Sequence, residues 1–179
     1  MNIDDYNQIS TKTGDKGTSK NYSNETFSKD DILFDALGTN DELSSMLGLT
    51  YHRAPYENIK TIQNTLQAIN ALIATNESAH PERYKKLRQI TDEDISFIEQ
   101  EEEIYMKKAP IAAKFFLPGS EATEAGAYFD LARTVARRAE RTLVRYINHT
   151  KRDDLDGPRR YLNRLSDLLF ILARNYSVE

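Results

Sequence analysis

The sequence predicts an all-α protein that folds as a bundle of four or five helices. After the first 30 residues, apolar side chains recur at steps of three and four along most of the chain, which is typical of amphipathic helices. Runs that alternate between apolar and polar residues are too short to predict a sheet. A length of 179 residues without an internal repeat predicts one domain over 1–179, with a polar arm over 1–30 and the helical bundle over 31–179.

The first two helices are predicted from a capping motif and an apolar stripe. The residues from Thr39 to Glu42 fit a capping box, so we expect the first helix to run from Thr39 to about Arg53. For 32–37, a helical turn and an extended segment are both open. The second helix is predicted over 56–75, where one face carries Ile59, Ile62, Leu66, Ile69 and Ile73.

The second half of the chain predicts three more helices. A charged connection over 76–90 leads to Thr91, which is expected to cap a helix that directs Ile95, Ile98 and Tyr105 inward. The apolar loop 115–120 is expected to end in Ser120 as the N-cap of a helix over 121–148. A turn places Pro158 at the first position of the last helix, 158–174, which buries a stripe of leucines.

Composition and charge argue against several classes of protein. The formal net charge of −4 argues against a general nucleic-acid binder, and the absence of Cys excludes disulfides and thiolate metal sites. No apolar run approaches the roughly 20 residues that cross a bilayer. Residues 1–10 resemble neither a signal peptide nor a transit peptide. We therefore expect a soluble cytoplasmic protein without nucleic-acid or membrane partners, or a mitochondrial matrix protein whose targeting segment was removed.

The fourth predicted helix carries a cluster of charged residues. Arg133, Arg137 and Glu140 or Arg141 follow at steps of three and four, so they share one face beside the apolar stripe. Such a face suits a polyphosphate, because the guanidinium fork matches phosphate oxygens. A solvated face with Glu–Arg pairs within the helix explains the pattern equally well.

The polar arm contains a Gly-containing segment that fits an anion-binding loop. It runs from Thr11 to Thr18 and places small and hydroxyl residues beside Gly14 and Gly17, which lets backbone N–H groups approach an anion. It does not match the P-loop pattern. Taken by itself, the segment is explained better by a simple surface turn.

One pattern resembles a metal site but lacks the partners that such a site needs. Glu77 and His80 have the Glu-x-x-His spacing of ferritin-like di-metal bundles, which use two such motifs and two further glutamates. This sequence has one motif, and Pro81 follows it directly. We therefore do not expect a di-metal centre or a site built from several histidines.

Taken in order along the chain, the motifs resemble the PduO-type ATP:cob(I)alamin adenosyltransferase family. They are TKTGDKGT from Thr11, SKDD from Ser28, ALGTNDELSSMLG from Ala36, FFLPGS from Phe115, ARTVARRAER from Ala132 and YLNRLSDLLFILAR from Tyr161. The ARTVARRAER block followed by NRLSD is the most specific part. The resemblance covers almost the whole chain and is weakest over 76–90.

The resemblance implies a homotrimer of five-helix, ferritin-like up-down bundles with a crossover connection, in which ATP lies between subunits. The ATP-binding residues implied on the arm are Thr11, Thr13, Gly14, Asp15, Lys16, Gly17, Thr18 and the phosphate ligand Lys29. On the helical side, Arg137, Glu140 and Asn163 would hold phosphates, Mg²⁺ and ribose. Arg137 and Asn163 would be catalytic, and Glu140 is the candidate protein ligand of Mg²⁺.

The resemblance also implies a corrinoid side and an interface. Phe115 would wall the lower face of the corrin ring as a catalytic residue, together with the corrinoid-binding Phe116. Asp41 and Arg133 would form a salt bridge between subunits. The implied substrates are ATP and cobalamin, and the implied partners are a reductase and an adenosylcobalamin-dependent enzyme that accepts the product.

The implied reaction suits these residue types, because Co(I) attacks the 5′-carbon of ATP without a catalytic base. The growing charge of the leaving triphosphate must then be met by Arg, Lys and Mg²⁺. A non-catalytic carrier or regulator that binds a nucleotide or a corrinoid is the alternative. It would not need Lys29, Arg137, Glu140 and Asn163 together.

The chain departs from the family pattern in the segment before Lys29. Where the family usually has a Gly-Gly pair followed by Arg, this sequence has Ser23, Asn24 and Thr26. We expect a loop that is stiffer and has one cation fewer. Ser44 and Ser120 also replace the usual Asn and Gly of their motifs.

Overall fold

The computed structural model describes residues 4–176. Five long helices dominate this part of the chain: α2 (Ile32–Tyr51), α3 (Ile59–Ile73), α5 (Asp92–Lys108), α6 (Glu124–Thr150) and α7 (Asp156–Asn175). One-turn helices α1 (Tyr6–Ile9) and α4 (Pro81–Tyr84) and a 3₁₀ turn over Asp153–Leu155 complete the helical elements. The prediction of a mostly helical chain is therefore confirmed.

The arm contains a small sheet that the sequence did not predict. Strand β1 (Thr18–Lys20) pairs antiparallel with β2 (Thr26–Ser28), with Ser19 opposite Phe27. The strands are three residues long, which is too short to produce a detectable alternating pattern. The prediction of an all-α chain therefore describes the bundle but did not include this short hairpin.

The helices surround one apolar core. Helix α6 packs against α2 on one side and α7 on the other, while α3 packs against α2 and α5 against α7. The predicted stripes are buried, and their isoleucines and leucines have almost no exposed surface, as at Ile62, Ile69, Leu165 and Leu169. Among residues 4–176, every helix is too short or too polar to cross a membrane.

The predicted start of the first long helix is wrong. Asp31 is the N-cap, and its carboxylate accepts a hydrogen bond of 2.8 Å from the backbone N–H of Leu33. Thr39 lies inside α2, where its hydroxyl donates to the carbonyl oxygen of Asp35 at 2.6 Å. The helix begins earlier because Leu33 and Ala36 are core residues, and this resolves the open question about 32–37 in favour of a helix.

The start of α6 also differs from the prediction. Thr123, not Ser120, is the N-cap, and its hydroxyl accepts from the backbone N–H of Gly126 at 3.2 Å. The backbone N–H of Thr123 donates to the carbonyl oxygen of Tyr176 at 3.0 Å, so the helix start is attached to the end of α7. Ser120 belongs to the preceding turn, which Gly119 forms at a φ of +78°.

The link between α6 and α7 is fixed by a buried cation. Arg152 is 6% exposed and donates through Nη2 to the carbonyl oxygens of Leu72 and Thr75, at 3.1 and 2.9 Å. Its Nη2 also donates to Asp154 at 2.7 Å. The guanidinium therefore pairs with the carbonyl group of Thr75 beyond the end of α3 and adds a second donor to that of Leu72, which also accepts from the N–H of Thr75.

Replacing each of the two candidate caps of α2 by alanine distinguishes them. We expect Asp31→Ala to lower the free energy of unfolding by about 1 kcal/mol, because the N–H of Leu33 loses its acceptor. Asp31→Asn should retain most of the stability, since asparagine also caps helices. Thr39→Ala should change it by less than about 0.5 kcal/mol. Urea unfolding followed by circular dichroism measures all three, and a larger loss for Thr39→Ala would contradict the assignment.

Candidate functional site

The Gly-containing segment of the arm forms two consecutive tight turns. The N–H of Asp15 donates to the carbonyl oxygen of Lys12 at 3.3 Å, and the N–H of Gly17 donates to that of Gly14 at 3.2 Å. Lys12 and Gly17 both adopt positive φ values, of 58° and 77°. Most of the segment is exposed, including Thr11, Thr13, Asp15 and Lys16. The loop therefore presents its polar surface outward while its backbone is internally bonded.

Lys29 lies directly on this loop. A Cβ atom on Gly14 would be 2.8 Å from Nζ of Lys29, so the absence of a side chain at Gly14 is what allows this approach. The backbone N–H of Lys29 donates to the carbonyl oxygen of Gly17 at 2.8 Å. The predicted loop and the predicted phosphate ligand are thus brought together in one cationic corner.

The hairpin turn explains how the chain replaces the usual glycines. Asn24 has a φ of +65°, a left-handed conformation that asparagine tolerates better than most residues. The side-chain oxygen of Asn21 accepts from the N–H groups of Ser23 and Glu25, both at 2.9 Å. Asn21 therefore supports the turn, a role that sequence reasoning missed. The sequence did contain a signal for this role, because asparagine often accepts hydrogen bonds from the backbone two residues further on and so initiates turns.

Thr26 occupies the family's arginine position on β2. It is exposed and lies opposite Lys20 on β1. The side chain of Lys20 therefore supplies a cation on the neighbouring strand, directly opposite the position where the family has arginine.

A large cavity adjoins the loop. It has a volume of about 1160 Å³ and lies between α2 and α3, and both Lys29 and Asp41 line it. Its apolar wall includes Phe34, Leu37 and Ala71. An apolar pocket with a few charged groups at its edge is typical of a ligand site.

The helical half of the predicted site lies where α6 and α7 meet. The Nδ2 atom of Asn163 donates to Oε1 of Glu140 at 3.0 Å. Arg137 is exposed on the same helix as Glu140, three residues earlier. On the other side of Asn163, Arg164 donates through Nη1 to Oδ1 of the amide at 2.9 Å. These residues form a polar surface with a cation, a carboxylate and a fixed amide.

The two halves of the predicted site lie apart within residues 4–176. Arg145 of α6 pairs with Asp35 in the first turn of α2, the helix that begins three residues after Lys29. Arg137 precedes Arg145 by eight residues, which places it about 12 Å farther along the helix axis. Among the hydrogen bonds and ion pairs of residues 4–176, none joins the loop or Lys29 to Arg137, Glu140 or Asn163.

The predicted pair of Asp41 and Arg133 is not formed within the chain either. Asp41 faces the large cavity and has no ion-pair partner among the described residues. Arg133 is 24% exposed, and its Nε atom lies 3.7 Å from Oδ1 of Asp130, too far for a hydrogen bond. Nε is also buried without a hydrogen-bond acceptor in the described part of the chain.

The two phenylalanines of the predicted corrinoid side differ strongly in exposure. Phe115 is 99% exposed, which is unusual for a large apolar side chain. The ring of Phe116 packs edge-on against Phe170, with 6.2 Å between centroids, and lies 4.8 Å from the guanidinium of Arg174. A pocket of about 310 Å³ lies between this loop and Arg133.

A buried ion pair supports this loop. Arg174 pairs with Asp130, and both side chains are about 5% exposed or less. Asp130 also accepts from the backbone N–H of Gly119 at 3.3 Å. Sequence reasoning missed this pair. The available signal was that each helix has a charged residue next to its apolar stripe, a carboxylate on α6 and a guanidinium on α7, so that the two charges are opposite.

The Glu-x-x-His pattern has another role in the structure. Nε2 of His80 lies 3.7 Å from Oε1 of Glu25, so the pattern's histidine contacts the hairpin. Within residues 4–176, no group of three or more metal-binding side chains is assembled.

Comparison with known proteins identifies the family. The sequence model of the family described as cobalamin adenosyltransferase matches residues 9–176. The chain belongs to this family. The corrinoid adenosyltransferase MMAB of Bos taurus is 37% identical over 173 residues, a match that covers 93% of this chain and 70% of the relative. The corrinoid adenosyltransferase of Bacillus subtilis is 33% identical over 172 residues, with coverages of 93% and 85%.

Solved structures of cobalamin adenosyltransferases share the fold. A variant of the PduO-type ATP:corrinoid adenosyltransferase from Lactobacillus reuteri, complexed with cobalamin and ATP, superposes with a TM-score of 0.82 at 29% identity. The match covers 93% of this chain and 92% of that one. A second variant of that enzyme, complexed with ATP, gives a TM-score of 0.81. The resemblance read from the motifs is therefore confirmed.

The pH dependence of stability provides a test of the electrostatics around Arg164 and Asp167. Burial, followed by the nearby charge of Asp167, raises the pKa of Glu102 from its ordinary 4.5 to about 7. Between these values the folded chain holds a proton that the unfolded chain has released, so stability falls as pH rises through this window. Its Oε1 atom is buried without a hydrogen-bond donor in the described residues.

We expect Glu102→Gln to be more stable than the wild type at about pH 8 and equal to it at about pH 4. The difference should be about 1 kcal/mol, because Glu102 is only partly buried and solvent screens its charge. Urea unfolding at a series of pH values measures this. Glu103→Gln, which removes an exposed charge on the same helix, is the control. A pH-independent difference between Glu102→Gln and the wild type would contradict the assignment.

Proposed function

We propose that the chain transfers the 5′-deoxyadenosyl group of ATP to the Co(I) centre of cobalamin, giving adenosylcobalamin and triphosphate. The observation that carries the proposal is that Asn163 on α7 holds Glu140 on α6, one turn after the exposed Arg137, while Lys29 lies against the Gly14 loop. These are the groups that a triphosphate leaving group requires. Family membership and the ligands of the similar structures support the same reaction.

The reaction needs charge stabilisation more than proton transfer. The cobalt of Co(I) supplies the electron pair for a new bond to the 5′-carbon. The bond from that carbon to the phosphate oxygen breaks, and triphosphate leaves with the electron pair of the broken bond. Lys29 and Arg137 would meet the charge on the leaving oxygens. One such donor is worth roughly 3–4 kcal/mol in a preorganised site.

Mg²⁺ is compatible with the groups that are present. Glu140 supplies one carboxylate, and Mg²⁺ commonly binds one or two carboxylates together with substrate phosphates. Asn163 holds Glu140 through Oε1 at 3.0 Å. Glu140 is therefore the residue that would hold the ion, which would neutralise phosphate charge.

Phe115 and Phe116 would form the apolar wall on the corrinoid side. The exposed ring of Phe115 can contact a large apolar ligand without any rearrangement of the core. Such a contact would exclude water and the lower axial base of the corrinoid from the cobalt. A four-coordinate Co(II) is then more easily reduced to Co(I) by an external reductase.

We further propose that the chain assembles as a homotrimer of five-helix bundles, with each nucleotide site shared by two copies. Two observations support this. The loop with Lys29 and the face with Arg137 lie apart, and Asp41 and Arg133 each lack a well-placed partner among residues 4–176. Pairing Asp41 of one copy with Arg133 of the next would satisfy both charges. Sedimentation at three times the chain mass of 20.6 kDa is the expected result.

The test of the reaction is the spectrum of cob(II)alamin incubated with a strong reductant and MgATP, which should change to that of adenosylcobalamin. We expect Arg137→Ala and Asn163→Ala each to lower turnover by about 100-fold or more, because each removes a contact to the leaving group. Arg145→Ala, an exposed arginine on the same helix that pairs with Asp35 of α2, is the matched control and should change turnover by less than about threefold. Circular dichroism checks that each variant is folded.

Two outcomes would contradict the proposal. Binding of ATP and corrinoid without any adenosylcobalamin would indicate a carrier or regulator. Near-normal turnover of Arg137→Ala at saturating MgATP would remove Arg137 from the group that stabilises triphosphate.

A further inference from the structure

We propose that Arg164 is a positioning residue that sets the orientation of the Asn163 amide, and that Glu99 of α5 holds Arg164 in place. The inference rests on the proposed function, because it concerns the same site. It adds two residues and a third helix to the group that prepares Asn163 for its ligand.

The amide of Asn163 has two orientations of almost equal shape, which exchange a donor group and an acceptor atom. Arg164 has donors only, so the atom that faces its Nη1 at 2.9 Å must be the oxygen Oδ1. The NH₂ group then faces Glu140, to which it donates at 3.0 Å. The reversed amide would place two donors together on one side and two acceptors on the other.

This orientation determines what Asn163 offers to a ligand. Within residues 4–176, Nδ2 makes one hydrogen bond, to Glu140, and its second N–H remains available. An ionised phosphate oxygen is an acceptor only, so it requires that N–H and would be repelled by Oδ1. Arg164 therefore selects the form of Asn163 that can bind a nucleotide.

Arg164 is itself held from α5. Its Nε atom donates to Oε1 of Glu99 at 3.2 Å, and its Nη1 atom lies 3.6 Å from Oδ2 of Asp167. The planar guanidinium can serve Glu99 and Asn163 at once through different nitrogens, whereas a lysine ammonium has a single nitrogen. The chain of contacts runs from Glu99 on α5 through α7 to Glu140 on α6.

The same two helices provide a matched control. Arg160 lies one turn earlier on α7 and donates to Asp92 of α5 at 2.9 Å. Its side chain is 48% exposed, close to the 43% of Arg164. Arg160→Met therefore breaks a similar ion pair between α5 and α7 without touching Asn163.

The test is a double-mutant cycle on turnover and on the dissociation constant of ATP. We expect Arg164→Met to lower kcat about tenfold, which corresponds to the loss of one charge-assisted hydrogen bond. Arg164→Lys should recover part of the loss, and Glu99→Gln should cost about threefold. Arg160→Met should stay within about twofold of the wild type. In the Asn163→Ala background, Arg164→Met should cost almost nothing further, because the amide that it orients is gone.

The results separate this inference from the function on which it rests. If Arg164→Met costs the same factor with and without Asn163, it acts independently and the positioning role is overturned. An equal loss for Arg160→Met would show a structural effect of the α5–α7 contact and would also overturn it. A wild type that binds ATP without forming adenosylcobalamin would overturn the proposed function, and the cycle on the dissociation constant would then decide the role of Arg164. A wild type that does not bind ATP would overturn both.

Discussion

The buried ion pair between Asp130 and Arg174 joins the first turns of α6 to the last turns of α7. Removing one partner of such a pair typically costs 3–5 kcal/mol, because the other charge stays buried. A second cross-link, Glu140 with Asn163, lies 10 residues along α6 and 11 residues back along α7, about 15 Å away on both helices. Helices α6 and α7 are therefore cross-linked at two positions that lie the same distance apart on both helices. The register that brings Asp130 to Arg174 also brings Glu140 to Asn163. The same ion pair holds Gly119, and through it the loop that carries Phe115.

The arrangement of charges on one chain explains why the site is proposed to be shared. Arg138 and Arg145 of α6 are paired with Glu42 and Asp35 of α2, so these two cations neutralise partners within the chain. Arg137 lies beside them on the same helix and remains exposed. Lys29 is held against its own loop, on the side of the large cavity between α2 and α3. A ligand with several phosphates needs cations from both places, and a neighbouring copy can supply the second set.

The sequence predicted the long helices well where an apolar stripe was present, because burial of a stripe determines both the helix and its inward face. The predictions failed at helix starts and in short elements, because single hydrogen bonds determine where these begin and end. Thr39 matched a capping box, but the core contacts of Leu33 extended the helix back to Asp31. The motifs identified Asn163, yet Arg164 and Glu99 were missed, because a contact between α5 and α7 spans 65 residues of sequence and leaves no periodic signal. Asp130 with Arg174 was missed for the same reason.

The central claim is that a complete site uses the loop of one copy and the α6 face of another. It is tested most directly by co-expressing Lys29→Ala and Arg137→Ala chains and measuring adenosylcobalamin formation by the mixed oligomers. Each variant alone should be nearly inactive. Mixed oligomers should recover up to about a quarter of wild-type activity, because random assembly restores some sites with both halves intact. Mixed oligomers that are as inactive as the single variants would show that one chain supplies both halves, and would contradict the account.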